Sequence, residues 1–161
     1  MNTDYLGRTV RDIVTGFEGI CTAAIEWMYG CTQYNVKPKA EGGKQHSASL
    51  VLENQLEIVD DGIRGRVDMP PFTEPELFGK VCRDKITGQT GTCVGRTVNL
   101  FNCQQYVLET TPAEQNQDSK LLWFDDGRLD VVPGEEVSPA EVRGSSPGGV
   151  MIPLVLPPVG M

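Results

Sequence analysis

The sequence predicts an all-β chain: two copies of one small five-stranded module, followed by an extended C-terminal arm. Three observations predict this. Residues 6–36 recur at residues 78–108 with a constant offset of 72. Within each copy, short runs of β-branched and aromatic residues are bounded by turn residues. Eighteen glycines and eleven prolines are scattered through the 161 residues, which suits short strands joined by turns rather than long helices.

The repeat is the firmest of the three. Identical pairs are Gly7/Gly79, Arg11/Arg83, Asp12/Asp84, Thr15/Thr87, Gly16/Gly88, Gly19/Gly91, Cys21/Cys93, Cys31/Cys103, Gln33/Gln105 and Tyr34/Tyr106, without a gap. Conservative pairs such as Val14/Ile86, Met28/Leu100 and Tyr29/Phe101 fill in between. The match continues loosely, with Leu56–Val59 resembling Leu129–Val132 at an offset of 73. Repetition at a fixed spacing marks two copies of one structural unit.

The first copy reads as follows. Thr9–Val14 is a strand closed by a turn at Thr15–Gly19. Glycines recur at the same two turn positions of the second copy, as expected where the backbone needs positive φ or a close approach. Ile20–Met28 is a long second strand, with a helix over Glu18–Trp27 as the competing local reading. Tyr29-Gly30 makes a turn, and Cys31–Val36 is a third strand. Two shorter runs, Ala48–Leu52 and Leu56–Val59, complete the module. Five short strands in such a length form a barrel or small sandwich rather than an open sheet, because closure hides the edges, and an SH3-like barrel fits best. The chain therefore divides into a first β-module (1–66), a Pro-rich connector (67–77), a second β-module (78–133) and the arm (134–161), with Met69–Pro75 as a stiff spacer.

Charge narrows the partners. Fourteen Lys and Arg against 22 Asp and Glu give a formal net charge of −8, which repels phosphate backbones and anionic membrane surfaces. No nucleic acid and no membrane partner is expected. The apolar stretch Val150–Val159 is too short and too broken by proline to span a bilayer. Met1–Tyr5 carries no basic region ahead of an apolar core, so synthesis in a cytosol is expected.

The candidate chemistry is sparse. Five cysteines do not close a disulfide framework. Cys21/Cys31 and Cys93/Cys103 share one spacing; a hairpin at Tyr29-Gly30 sets Cys31 opposite Met28 and Cys21 opposite Pro38, too far apart to bond. Buried structural thiols are the reading for these four, with disulfides between neighbouring subunits as the alternative. Cys82 aligns with Val10, a core position that wants a small apolar group. Without C-x-x-C and with His46 as the only histidine, neither a zinc site nor a Cys–His nucleophile is expected. Asp60-Asp61-Gly62 and Asp125-Asp126-Gly127 lack the length of a calcium loop and read as turns. Arg11-Asp12 and Arg83-Asp84 read as structural, each carboxylate accepting backbone N–H groups of the following turn; a recognition surface is the alternative. Gly16-Phe17-Glu18-Gly19 lacks the ending of a phosphate loop. No catalytic residue, cofactor or metal is expected.

After Val132 the chain changes character. Gly144–Gly149 is a tether leading into Val150, Met151, Ile152, Leu154, Val155, Leu156 and Val159, where the prolines forbid a helix. Such side chains are a liability in water. The arm is therefore expected to dock in a groove or add a strand to a sheet edge, on a neighbour in preference to its own barrel.

Val10–Ile20 and Tyr29–Tyr34, with Val81–Gly88, Asn102–Tyr106 and Trp123-Phe124-Asp125-Asp126 of the second copy, resemble a family of small tailed-phage and prophage proteins. The second copy departs from the pattern at Gln89, where an aromatic is expected, and the first copy lacks the Trp-Phe-Asp ending. The resemblance covers both modules but not the connector or the arm. Together with the exclusions above, it implies a non-enzymatic virion protein made in the host cytoplasm. Such a protein decorates the capsid or sits in the tail or baseplate, bound through its arm to other virion proteins in multiple symmetric copies. Two other classes compete: a cytosolic phage regulator that binds a host protein, and an SH3-like RNA-binding module.

Overall fold

The computed structural model describes residues 1–71, 75–101, 103–110 and 119–136. Its strands are β1 (Thr9–Asp12), β2 (Glu18–Trp27), β3 (Thr32–Lys37), β4 (Ser49–Leu52), β5 (Leu56–Asp60), β6 (Lys80–Asp84), β7 (Thr90–Asn99), β8 (Gln104–Thr110), β9 (Lys120–Asp125) and β10 (Leu129–Glu136). The all-β expectation holds. Glu18–Trp27 is a strand, so the helical alternative falls. Strand β10 runs three residues past the expected end of the second module.

Each module is the antiparallel path β5-β1-β2-β3-β4, repeated as β10-β6-β7-β8-β9. A one-turn 3₁₀ segment, Glu53–Gln55 or Asp126–Arg128, connects the two end strands of each path, β4 to β5 and β9 to β10. Among the described residues the path does not close, since β4 and β9 each pair with one strand only. The two modules are not separate sheets: β2 pairs with β7 and joins all ten strands into one sheet.

The repeated residues fix the repeated geometry. In the first hairpin, Asp12 N–H donates to Phe17 O at 2.8 Å, and Gly16 N–H to Asp12 O at 2.8 Å. The second copy repeats both bonds, Asp84 to Gln89 O and Gly88 to Asp84 O, at 2.8 and 2.9 Å. Gly16 and Gly88 have φ of 74° and 76°, in the left-handed region where a side chain is strained. Gly19 and Gly91 recur for the other reason. A Cβ at Gly19 would sit 2.4 Å from Lys37 O, and one at Gly91 2.7 Å from Glu109 O, so the adjacent strand's backbone leaves no room for a side chain.

Each long strand breaks register once, between Cys21 and Ala23 in β2 and between Cys93 and Gly95 in β7. The extra residues are Thr22 and Val94. A bulge bends its strand, and here it also frees a carbonyl for the other module. Leu100 N–H donates to Thr22 O, and Met28 N–H donates to Val94 O, both at 2.8 Å. Because Met28 is used in this way, the β2–β3 loop closes one residue earlier than expected. Trp27 N–H donates to Cys31 O at 3.0 Å, and Cys21 lies opposite Val36 instead of Pro38.

The β2–β7 junction has pseudo-twofold symmetry. Its centre is Ile25 opposite Thr97, equivalent positions of the two copies. Around it Ala24 faces Val98 while Glu26 faces Arg96, and Ala23 faces Asn99 while Trp27 faces Gly95. Contacts are reciprocal, as across a twofold dimer interface. Leu100 of the second module enters the first core, beside Leu6, Val10, Cys21, Ala24, Tyr34, Val36, Val51 and Leu56. Met28 of the first joins Val94 and Val107 of the second, with Ile25 and Trp27, in a cluster of its own.

Candidate functional site

The repeated thiols separate into two kinds. Cys21 and Cys93 are fully buried beneath the bulges. Each thiol donates to the carbonyl two residues on, Ala23 O and Gly95 O, at 3.8 Å. Burial pushes both thiols up to about 12, so they remain protonated and unreactive at neutral pH. Neither can meet a neighbouring subunit, which removes Cys21 and Cys93 from the inter-subunit reading. Cys31 and Cys103, at the ends of the equivalent hairpin loops, are free and exposed. Cys82 is buried in the second core where Val10 is buried in the first.

The Arg-Asp pairs lie at the braced turns. Asp12 accepts from Val14 N–H at 2.9 Å and from Thr15 Oγ1 at 2.6 Å, and these bonds hold its carboxyl below the usual range. Asp84, fully buried, accepts from Thr87 N–H at 3.0 Å and Thr87 Oγ1 at 2.6 Å. It also receives a two-pronged bond from Arg128, Nε at 3.0 Å and Nη2 at 2.7 Å. That guanidinium, more than the Thr87 bonds, depresses the Asp84 carboxyl far below the ordinary range against the opposing effect of burial. The planar fork is the geometry in which guanidinium binds carboxylate best, and it lies 5.4 Å above the Phe124 ring. Arg11 takes the opposite role. It reaches outward to Glu18 at 2.8 Å and Glu57 at 3.1 Å, all three half exposed.

These turns present apolar side chains to water. Ile13 and Val14 are 60% and 69% exposed on the first, and Ile86, equivalent to Val14, is 74% exposed on the second. A second matched set lies on the sheet's outer strands: Ile58 and Val59 on β5, and Val131 on β10. Phe101 is exposed too, whereas its equivalent Tyr29 is half buried with its hydroxyl 3.4 Å from Glu109. Sequence reasoning missed these positions as candidates. The signal was the aliphatic pair Val14/Ile86 beside an Asp-x-x-Thr-Gly turn, where polar residues are usual.

The remaining candidates resolve as turns or lie apart. Asp60 accepts from Gly62 N–H at 2.7 Å, as an Asp-Gly turn does. Asp125-Asp126-Gly127 enters the 3₁₀ turn before β10 and so is not the counterpart of Asp60-Asp61-Gly62, which follows β5. His46 is exposed in the loop between β3 and β4. Among the described residues no group of three His, Cys, Asp or Glu could hold a metal ion, and no helix is long and apolar enough to cross a membrane. The arm positions Val150, Met151, Ile152, Leu154, Val155, Leu156 and Val159 lie outside the described residues.

No family model, curated protein or solved structure matches this chain.

Proposed function

We propose that the protein is a non-enzymatic structural component of a tailed-phage virion, in which two SH3-like modules form a two-ended spacer and the C-terminal arm is the latch. The observation that carries this reading is the duplicated apolar display. Val14 and Ile86 stand at equivalent turn tips, each braced by an Asp-Thr pair. The antiparallel β2–β7 pairing sends those two tips to opposite sides of the junction. A fixed frame with like contact points at both ends suits a part that bridges repeated neighbours. The SH3-like assignment is supported by the strand order β5-β1-β2-β3-β4 and by the 3₁₀ turn before β5 and β10.

Attachment would come from the arm residues Val150–Val159, at about 25 cal/mol per Å² of apolar surface removed from water. Many identical sites on a capsid or tail would add avidity. The test is incorporation. Deleting residues 144–161 is expected to leave the sheet folded by circular dichroism and to remove the protein from purified particles. Truncated protein that still co-purifies stoichiometrically with virions contradicts the latch, and full-length protein absent from particles by mass spectrometry contradicts the virion role.

A further inference from the structure

The junction between the modules is symmetric in backbone and asymmetric in side chains. Four facing pairs surround the Ile25/Thr97 centre, and symmetry relates them two by two. Ala24–Val98 is the mate of Glu26–Arg96, and Ala23–Asn99 is the mate of Trp27–Gly95. In each set the two members have diverged. Ala24–Val98 is apolar, while Arg96, wholly buried, donates to Glu26 at 2.8 Å. Trp27 lies so close over Gly95 that a Cβ there would be 2.8 Å from its ring carbon Cε3.

The same backbone pairing could join like modules of different chains, with β2 meeting a second β2 or β7 a second β7. The register then dictates what would face what. Two β2 strands would set Trp27 against the Cβ of Ala23 twice, and Glu26 against Ala24 twice. Two β7 strands would bury two Arg96 guanidinium groups, each opposite Val98 instead of a carboxylate. Glu26 also lies 3.4 Å from the Met1 amine, and Arg96 also bonds the Tyr106 side chain. Neither contact supplies the lost complement across the junction. Burying a charge opposite an apolar group, or a methyl group inside a ring, disfavours the wrong partner.

We propose that the β2 and β7 edges are mutually selective surfaces. Trp27 against Gly95 and Glu26 against Arg96 restrict each module to the unlike module, and deny the pairing of like modules that would link separate chains. The hazard averted is specific. A chain with two self-complementary edges facing other chains makes open-ended assemblies, β2 to β2 and then β7 to β7, rather than a closed unit.

The experiment cuts the full chain after folding. A protease site placed in residues 72–74 is cleaved, and the two halves are unfolded together in urea and refolded at micromolar concentration. The refolded pairs are then weighed by native mass spectrometry. The expected result is the unlike pair, with like pairs below about one part in a hundred. Like and unlike pairs in roughly the statistical 1:2:1 ratio overturn the proposal. Halves that do not pair again overturn it as well, because mutually selective edges must find each other without the connector. A second measurement uses the intact chain. The variant Glu26→Val/Trp27→Asn/Gly95→Ala/Arg96→Ala copies Ala24–Val98 and Ala23–Asn99 onto their mates and makes the four flanking pairs symmetric about the Ile25/Thr97 centre. Refolded at rising concentration, it is expected to gain dimers and larger species beyond those of the unaltered chain; identical mass distributions by light scattering overturn the selectivity.

Discussion

The first and second Asp-x-x-Thr-Gly turns have the same backbone bonds and different anchors. In the first, Phe17 follows the turn and packs against the first core, and Asp12 has only Thr15 and Val14 as partners. In the second, the position of Phe17 is Gln89, which is exposed, and Arg128 locks the buried Asp84 from the far side. Arg128 occupies the position of Gln55, and in both copies that residue's carbonyl accepts the backbone N–H just after the Asp, from Ile13 or Lys85, at 2.9 Å. An apolar anchor in one module is thus replaced by an ionic one in the other. The turn is conserved as a shape, while the chemistry that fixes it has been exchanged.

What the two turns share should be the most costly to disturb. Gly19→Ala and Gly91→Ala each drive a methyl group into a strand carbonyl, and each should cost about 3 kcal/mol or more in urea denaturation. An Ala variant at either site within about 0.5 kcal/mol of the parent would mean that β3 or β8 does not approach as described.

The anchors should separate the modules. Asp84→Asn should lower the melting temperature more than Asp12→Asn, because it breaks a two-pronged ion pair inside the protein. Acid should reveal the same asymmetry. The folded-state Asp84 carboxyl is depressed from its ordinary 3.8, so its stabilisation is complete above that value and is lost as pH falls below it toward the depressed value. Asp84→Asn should therefore flatten the fall in stability below pH 3.8 more than Asp12→Asn. Equal flattening by the two variants would contradict the contrast.

The exchange of anchors can be tested by transplanting one. Phe17→Gln should cost about 1–2 kcal/mol for a half-buried aromatic, and adding Gln55→Arg should restore part of that loss by giving Asp12 the partner that Asp84 has. No recovery in the double variant would show that the Arg128 clamp depends on more than its position. Smallest of all, Arg11→Ala should leave the melting temperature nearly unchanged, since Arg11, Glu18 and Glu57 are exposed and screened.

The individual strands were legible because their signals are local. Turn glycines, β-branched runs and the repeat itself located all five strands of the first copy within a few residues. The structural roles of Asp12 and Asp84 were legible for the same reason. The junction was not, because it depends on which strand edges remain unpaired, and that is a property of the assembled sheet. Nothing in Cys21-Thr22-Ala23 announces a bulge, yet the bulge frees Thr22 O for Leu100. Nothing in the sequence around Arg96 marked it for burial, and only the paired strands show it buried beside Glu26. The Met28 register failed by one residue because its N–H serves the other module. The apolar turn tips stayed hidden behind the expectation that turns are polar.

The central claim is that two modules share one sheet through reciprocal bonds at their bulges. Hydrogen exchange of the Met28 and Leu100 amides, resolved by NMR, tests it most directly, since these N–H groups donate to Val94 O and Thr22 O across the junction. Both should exchange as slowly as the Val36 and Leu108 amides inside the module cores, and with equal protection. Fast exchange at Met28 and Leu100, at the rate of the exposed turn around Val14, would mean that the modules fold side by side without joining.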